Sequence, residues 1–335
     1  MSLLFCDSFD HYATADITSK WTVNAGGIIA SGGRNSTNCV RLLGNPANLT
    51  RTFPGSGYNT IIVGAAFKFG TGIALTPIIQ LGDATVIHVD VRCDGSKCLT
   101  VTRAGTLLEI ASFTVVIDTW YYIELKVKIG DTTTGTWELR VNGVTVAQDV
   151  GGGDTQNGGT AFVNKVVIGG VQGNELTVVD DLYICDTTGT YNNDFLGDVR
   201  VYYSPPDANG TNVAWAASAG TDEECVDETA PNSDTDYIST ATPADKESFA
   251  FAALGITGNV KAVQTSLFAR KDDAGSRTIR ELCRSGGTNY VGASASIGDT
   301  YLYYCEIREI NPDGAPAAWS VAGVDAAEFG VELVS

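Results

Sequence analysis

Acidic side chains are the first residues in this sequence that could do chemistry, because two carboxylates facing one cleft can cleave a glycosidic bond. Asp180 and Asp181 are adjacent. On a regular strand, neighbouring side chains point to opposite faces, so these two carboxylates are predicted not to share a site. Glu124 is followed by Leu125 and Lys126, which supply no second acid on its face. The sequence therefore predicts no catalytic carboxylate pair.

Nucleophilic and phosphate-binding motifs are missing as well. The only histidines, His11 and His88, stand apart from any serine or cysteine nucleophile motif, which argues against a catalytic triad. The glycine pairs at 26–27 and 32–33 are not followed by the Lys-Ser or Lys-Thr of a phosphate loop. The sequence predicts a protein that is not an enzyme, with no catalytic residues.

Calcium binding is left open by the acidic residues of three predicted loops, Asp83, Asp94 and Asp131. Residues 222–236 carry seven acidic and no basic side chains, which is typical of a solvated loop and leaves a cation site or docking strip as the alternative. The spacing does not match a calcium-binding EF-hand loop. No cofactor, cofactor-binding residue or metal ligand is assigned.

Eight cysteines are spread over the chain, and only Cys93 and Cys98 lie close together. These two could close a hairpin loop as a disulfide, because Asp94-Gly95 between them is a turn signal. A zinc site would need a second close pair of ligands, which the sequence lacks. Cys6 with Cys185, and Cys283 with Cys305, are predicted to lie on neighbouring strands. Buried thiols and disulfides both remain open.

The overall charge limits the classes of partner. The chain has 335 residues and a formal net charge of −18, which disfavours binding to nucleic acid or to an anionic membrane. The first residues lack the basic and continuous apolar stretches of a signal peptide, so synthesis and folding in the cytoplasm are expected. No apolar run is long enough to predict a membrane helix.

Short alternating segments between turn residues predict an all-β protein. In residues 119–129, apolar side chains alternate with polar ones, and Asn142-Gly143 is typical of a type I′ hairpin turn. A break in the alternation at 187–197 suggests two domains, 1–196 and 197–335. Five aromatic residues could stack on sugar rings: Trp21, Trp120, Trp137, Tyr58 and Tyr121. At strand positions such residues more often belong to the core.

Four segments resemble the concanavalin A-like, or laminin G-like, jelly roll: residues 120–125 (WYYIEL), 136–143 (TWELRVNG), 5–10 (FCDSFD) and 178–184 (VVDDLYI). The resemblance implies a jelly-roll sandwich in domain 1–196, with the late strand returning beside the first. Glycoside hydrolases of this group share an E-x-D-x-x-E strand, which this sequence does not contain. The resemblance therefore implies a fold more than a function.

The carboxy-terminal segment resembles structural proteins of tailed-bacteriophage virions, in which an arginine-ended strand, a K-D-D-A-G turn and an A-A-E-F-G-V-E segment occur together. Here they lie at Arg270, 271–275 and 326–332. This resemblance implies that domain 197–335 is a second, smaller β-sandwich of a virion component.

Taken together, these features predict a non-enzymatic virion surface protein. The favoured role is a capsid decoration or cement protein that stabilises the particle. The alternative is a tail appendage or fibre whose jelly roll binds a host-surface glycan, and a glycan-degrading enzyme ranks third because the catalytic strand is missing. Expected partners are the major capsid protein or tail proteins and further copies of the chain, with a trimer as one arrangement. The expected location is the outer surface of the virion.

Overall fold

The computed structural model describes residues 1–44, 47–71, 77–169, 177–314 and 317–335, and shows an all-β protein. The predicted fold class is therefore confirmed. The two α-helices are short, α1 at Ile17–Lys20 and α2 at Val321–Asp325, and 3-10 turns lie at Thr14–Asp16, Arg34–Ser36 and Glu223–Cys225. Within the described ranges, no helix is both long and apolar enough to span a bilayer.

The chain divides into two compact units, residues 1–10 with 14–201 and residues 11–13 with 202–335. The strands of the first unit, in chain order, are β1 Leu3–Asp7, β2 Val23–Ala25, β3 Gly27–Ser31, β4 Asn38–Leu42, β5 Asn48–Thr52, β6 Thr60–Phe69, β7 Pro77–Gly82, β8 Ile87–Cys93, β9 Cys98–Arg103, β10 Thr106–Thr114, β11 Trp120–Lys128, β12 Gly135–Val141, β13 Val144–Gly153, β14 Lys165–Gly169 and β15 Thr177–Asp186. The division into two separate domains, 1–196 and 197–335, stays a prediction.

Two antiparallel sheets form the first unit. One sheet has the order β13-β12-β11-β6-β15-β4-β3, with β1 also paired to β15, and is called sheet A. The other has the order β10-β9-β8-β7-β14-β5-β2 and is called sheet B. The late strand thus returns beside the first, as the jelly-roll resemblance implies.

The predicted alternation in β11 is confirmed. Ile123, Leu125 and Val127 are fully buried, and they lie on the opposite face from Glu124 and Lys126. Asn142 and Gly143 both have positive φ, at 50° and 78°, in the tight turn between β12 and β13. This is the type I′ geometry that the pair predicts, because Asn and Gly tolerate a left-handed backbone.

The regular alternation assumed for Asp180 and Asp181 is broken by a bulge, and the prediction that their carboxylates do not share a site stays a prediction. The pairing of β15 with β6 shifts register just after Asp180, and Asp181 adopts a positive φ of 49°. This β-bulge breaks the strict alternation of side chains. The Asp180 carboxylate accepts from the Arg34 backbone N–H at 2.7 Å, and the Asp181 carboxylate lies 3.1 Å from the Arg34 guanidinium.

The second unit contains the remaining strands, β16 Pro206–Val213, β17 Ala216–Ala217, β18 Ile238–Ser239, β19 Lys246–Phe251, β20 Val263–Ala269, β21 Arg277–Ser285, β22 Thr288–Ile297, β23 Leu302–Arg308, β24 Ile310–Asn311, β25 Ala317–Ala318 and β26 Glu328–Leu333. Its main sheet has the order β16-β19-β26-β21-β22, and β20 pairs with β23. Trp319 and Phe329 share a core with Cys283. The predicted turn at 271–275 links β20 to β21, which pair with other strands, so it does not form a hairpin.

All eight cysteines are thiols, so the structure contains no bridge between Cys93 and Cys98. Cys283 lies on β21 and Cys305 on β23, which belong to different sheets. The interpretation that these two lie on neighbouring strands is therefore wrong. Burial raises the pKa of the Cys93 thiol to about 12, which keeps it protonated and unreactive.

Candidate functional site

A continuous row of side chains crosses the outer face of sheet B. Each strand contributes one residue, and each residue pairs directly with the next: Val23, Thr50, Val167, Gln80, Asp90, Thr102 and Leu107. The neighbours of Asp90 in β8, Val89 and Val91, point into the core. Because side chains alternate along a strand, the row lies on the face directed away from the core.

This row is recessed in its middle. Val23 and Leu107 at its two ends are 45% and 52% exposed, whereas Asp90 and Thr102 are 1% and 5% exposed. Six strand spacings of about 4.8 Å give the row a length of about 29 Å. The outer face of sheet B is therefore a polar groove with raised apolar ends, and it is called the groove below.

Asp90 organises the centre of the groove. Its carboxylate accepts two hydrogen bonds from the Arg92 guanidinium, at 2.6 and 2.9 Å, and a third from the Thr102 hydroxyl at 2.6 Å. A bidentate arginine–carboxylate pair fixes the plane of the guanidinium. The Arg92 side chain stays 28% exposed, so Asp90 holds a cation at the groove surface.

A second cation lies on the groove face of β14, two residues before Val167 of the row and thus at one side of the groove. Lys165 begins β14 and pairs with Thr52 on one side and Gly82 on the other. Its side chain is half-buried, and it makes no ion pair with any residue that the structure describes. Lys165 is therefore available to a ligand, unlike Arg92, which is partly occupied by Asp90.

Residues 154–163, the wall loop, border the same side of the groove and lead into Lys165. His88 lies on the groove face of β8 and contacts this loop through both ring nitrogens. Its Nδ1 accepts from the Asn157 backbone N–H at 3.0 Å, and its Nε2 lies 3.1 Å from the Phe162 carbonyl oxygen. Burial lowers the pKa of His88 below its ordinary value, which favours the neutral imidazole.

Two further contacts hold the wall loop. Asp83, after β7, accepts from the Thr160 hydroxyl, and Arg103, at the end of β9, binds the Asp154 carboxylate. Burial alone would raise the pKa of Asp83, but hydrogen bonds from Thr160, Val86 and Thr85 outweigh it and lower this pKa well below its usual range. Asp83 is therefore an ionised anchor of the loop.

The three predicted calcium ligands lie in separate turns. Asp83 anchors the wall loop, the Asp94 carboxylate accepts from the Ser96 and Cys98 backbone N–H groups, and Asp131 is exposed in the turn before β12. Among the described residues, no group of three or more His, Cys, Asp or Glu side chains is placed to hold a metal ion.

The predicted aromatic platform does not form on the groove. Trp21, Trp137 and Tyr121 are buried. Trp120 lies on the outer face of sheet A with the Lys68 ammonium 5.1 Å from its ring, and Tyr58 packs edge-on against Phe53. The exposed apolar side chains at the ends of the groove face are instead aliphatic, namely Val23 on β2 and Leu107 and Ile110 on β10. Sequence reasoning missed them because it searched for aromatic rings.

Part of the outer face of sheet A is covered by the chain itself. Residues 194–201, the strap, have no regular secondary structure, and side chains of the sheet bind their backbone. Glu124 Oε1 accepts from the Gly197 N–H at 2.9 Å and from the Tyr183 hydroxyl at 2.5 Å, and that hydroxyl accepts from the Leu196 N–H at 3.1 Å. Glu124 is fully buried, so the part of this face beneath the strap is not open to a ligand.

We expect Tyr183→Phe to loosen the strap. The variant removes the hydroxyl of a residue that is only 1% exposed, and it leaves the Leu196 N–H without its acceptor. Leaving this buried donor unsatisfied should lower the free energy of unfolding by about 1–3 kcal/mol. Urea unfolding would measure the loss, and trypsin should cut faster after the exposed Arg200. Tyr191→Phe, at an exposed position, is the matched control. Unchanged stability and cleavage rates would contradict the strap assignment.

No protein-family model and no curated protein sequence matches this chain. Several solved structures are similar to part of this chain. An endo-β-1,4-glucuronan lyase from the fungus Trichoderma reesei matches at 13% identity with a TM-score of 0.42, over 55% of this chain and 95% of that one. An alginate lyase from Aplysia kurodai matches at 13% identity with a TM-score of 0.35, over 47% and 86%. A Trypanosoma rangeli sialidase matches at 14% identity with a TM-score of 0.35, over 48% of this chain and 27% of the sialidase.

These matches correct the function predicted from sequence. The prediction was a non-enzymatic capsid decoration protein, or alternatively a glycan-binding tail appendage, whereas the similar structures are lyases and sialidases. Both roles, and the prediction that the protein is not an enzyme, are therefore wrong. The sequence search failed because it looked for several acids on one strand, while the polar side chains of the groove come from separate strands. The likeness concerns the fold, and the activity is argued below from the groove residues.

Proposed function

We propose that the first unit is a carbohydrate-active enzyme that binds an acidic polysaccharide along the groove and cleaves it by β-elimination. One observation carries this proposal: the recessed polar face presents two cations, Lys165 and Arg92, and its central carboxylate, Asp90, is already bound. A groove of this kind attracts an anionic polymer and has no second acid facing Asp90 among its described residues.

The spacing of the two cations fits a polymer with repeated charges. Lys165 pairs with Gly82, which pairs with Ile87, five residues before Arg92. Two strand spacings and five residues of rise place the backbones of Lys165 and Arg92 about 19 Å apart. A single charged sugar cannot reach both positions. A polysaccharide with a carboxylate on each ring can contact both at once when it crosses the outer face of sheet B obliquely, mainly in the direction of the strands.

The groove side chains suit elimination. In that reaction a base removes the proton from the ring carbon beside the carboxylate, and the electron pair forms a double bond to the neighbouring carbon. The bond from that carbon to the glycosidic oxygen then breaks, and the leaving oxygen takes a proton. We assign Lys165 and Arg92 to binding substrate carboxylates, which stabilises the negative charge that develops at the carboxylate when the proton leaves.

Hydrolysis fits the groove less well. It uses two carboxyl groups about 5–9.5 Å apart, one on each side of the scissile bond. On the described part of the groove, Asp90 is bound by Arg92 and Thr102, and Asp83 at the side of the groove is bound by Thr160 and backbone N–H groups. Neither carboxylate is free to serve as nucleophile or acid.

We expect Lys165→Met to lower the elimination rate about 10²–10³-fold, the usual effect of removing one group that stabilises charge in the transition state. Glucuronan and alginate, named for the similar lyases, are the substrates to test first, with a neutral glucan as the substrate control. Ultraviolet absorbance of the unsaturated product measures the reaction. Lys128→Met, on an exposed lysine of sheet A, should leave the rate unchanged.

Two results would overturn this proposal. One is the absence of unsaturated product together with no retardation of the protein by either acidic polymer in affinity electrophoresis. The other is release of reducing ends without unsaturation, which would indicate hydrolysis. The location on a virion, the capsid or tail partners and the homo-oligomeric state stay predictions from the sequence.

A further inference from the structure

We infer that His88 is a pH-responsive clamp: the wall loop closes its side of the groove only while the imidazole is neutral. For its effect on polysaccharide binding this inference rests on the proposed function. The clamp itself rests on the contacts of His88 alone and can be tested without any ligand.

The contacts of the ring define its protonation state. His88 is fully buried, and its two ring nitrogens contact two backbone groups of the wall loop five residues apart, the Asn157 N–H and the Phe162 carbonyl. A backbone N–H can only donate and a carbonyl can only accept. Nδ1 must therefore carry no proton, and Nε2 must carry one, which is the neutral imidazole.

Protonation breaks this arrangement. A second proton on Nδ1 would face the Asn157 N–H, so two donors would oppose each other at 3.0 Å inside a buried site. A buried donor without an acceptor costs about 1–3 kcal/mol, and more when it carries charge. The Asn157 side chain, which donates to the Ile87 carbonyl at 3.0 Å, would be displaced along with its backbone. Acid is therefore expected to detach the middle of the loop.

The charged groups around His88 determine the direction of the pH effect. Asp83, in the turn before β8, favours the charged ring, while Lys165 on β14 disfavours it. Arg103 on β9 is occupied by Asp154. Burial is the largest influence and lowers the pKa of His88 below its ordinary value of 6.5. A lowered pKa means that the closed loop is fully stabilised above pH 6.5 and loses this stabilisation as the pH falls through the lowered value.

The remaining anchors keep the effect local. Asp83 still binds Thr160 in acid, because its pKa is lowered far below the range in which His88 titrates. Thr155 is fully buried, and its hydroxyl donates to the Lys128 carbonyl at 2.7 Å. These contacts hold the loop at both ends. Opening should therefore be confined to the backbone near Asn157, without unfolding of the sandwich.

Amide hydrogen exchange of the full-length protein tests the clamp. Exchange in residues 154–163 is measured by mass spectrometry between pH 7.5 and 5. The labelling times are adjusted so that the intrinsic exchange of unprotected amides, which varies with pH, is the same at each pH. In the native protein, protection of this segment should fall at least tenfold as the pH drops, while protection of β6 stays constant. His88→Gln should keep the loop protected throughout, because a glutamine oxygen can accept from Asn157 and its NH₂ can donate to Phe162 without titrating.

The second histidine provides a matched control. His11→Gln removes the only other imidazole, in the second unit, and should leave the native pH response of residues 154–163 unchanged. His88→Ala should expose the segment at every pH. Protection that falls equally in native protein and in His88→Gln, or that never changes with pH in the native protein, would overturn the clamp.

Affinity electrophoresis in glucuronan separates this inference from the proposed function. Retardation that weakens in acid for the native protein and persists for His88→Gln supports both. A pH-dependent loop in a protein that no acidic polymer retards supports the clamp and counts against the proposed function. Retardation with the same acid dependence in His88→Gln as in the native protein overturns the gating of the groove by His88.

Discussion

Replacing Asp7 by alanine should destabilise the first unit by about 3–5 kcal/mol, the usual cost of removing one partner of a buried ion pair. The Asp7 side chain is fully buried and lies 3.1 Å from the Lys20 ammonium, whose side chain is 1% exposed. It also accepts from the Trp21 indole N–H at 2.8 Å and from the Phe9 backbone N–H at 3.0 Å. The variant removes the counter-charge of Lys20 together with two buried hydrogen bonds.

Urea unfolding followed by tryptophan fluorescence would measure this loss, because Trp21 reports on the site directly. Asp131→Ala is the matched control, since it removes an exposed carboxylate from the same unit and should change stability by less than about 0.5 kcal/mol. A loss below about 1 kcal/mol for Asp7→Ala would show that the pair contributes no more than an exposed one.

Arg308→Ala should destabilise the second unit by a similar amount, about 3–5 kcal/mol. The Arg308 guanidinium donates to both oxygens of Glu281, at distances between 2.6 and 3.2 Å, and the Glu281 side chain is 2% exposed. Burial raises the pKa of Glu281, and the nearby Arg308 opposes that rise. Without Arg308, the carboxyl must take up a proton or remain charged in a buried site.

Calorimetry of both variants would also test the two-domain prediction. If the units unfold separately, Asp7→Ala and Arg308→Ala should shift different transitions. The double variant Glu281→Leu with Arg308→Leu is the control, because an apolar pair of similar size commonly restores the stability lost by breaking a buried ion pair. A double variant as unstable as Arg308→Ala would mean that packing, and not the buried charge, is responsible.

The elements of the fold that are local in sequence could be predicted. The alternation in β11 and the Asn142-Gly143 turn each depend on a few consecutive residues, and both are confirmed. The bulge at Asp181 could not be predicted, because it depends on how β15 pairs with β6, more than a hundred residues earlier in the chain. The same limit explains the wrong interpretation of Cys283 and Cys305, since a turn between strands does not reveal which strands pair.

The groove, too, is formed by residues that lie far apart in the sequence. Gln80, Asp90 and Thr102 are each unremarkable polar residues in their own strands, and only the strand order of sheet B brings them into one row. Lys165 carries no motif at all. A sequence search recognises chemistry when several groups lie on one strand, as in the E-x-D-x-x-E pattern. It cannot recognise a site to which each strand contributes a single side chain.

The pairing of β1 with β15 also determines when the first unit can fold. The partner of Cys6 is Tyr183, so nearly the whole unit must leave the ribosome before the amino-terminal strand can join its sheet. Contacts between such distant residues make folding slow, because a long loop must close before any pairing is gained. Until then, the backbone donors and acceptors of β1 are open to other chains. Any shortened version of this unit must therefore extend past Asp186, or it will lack the strand that completes the sheet around β1.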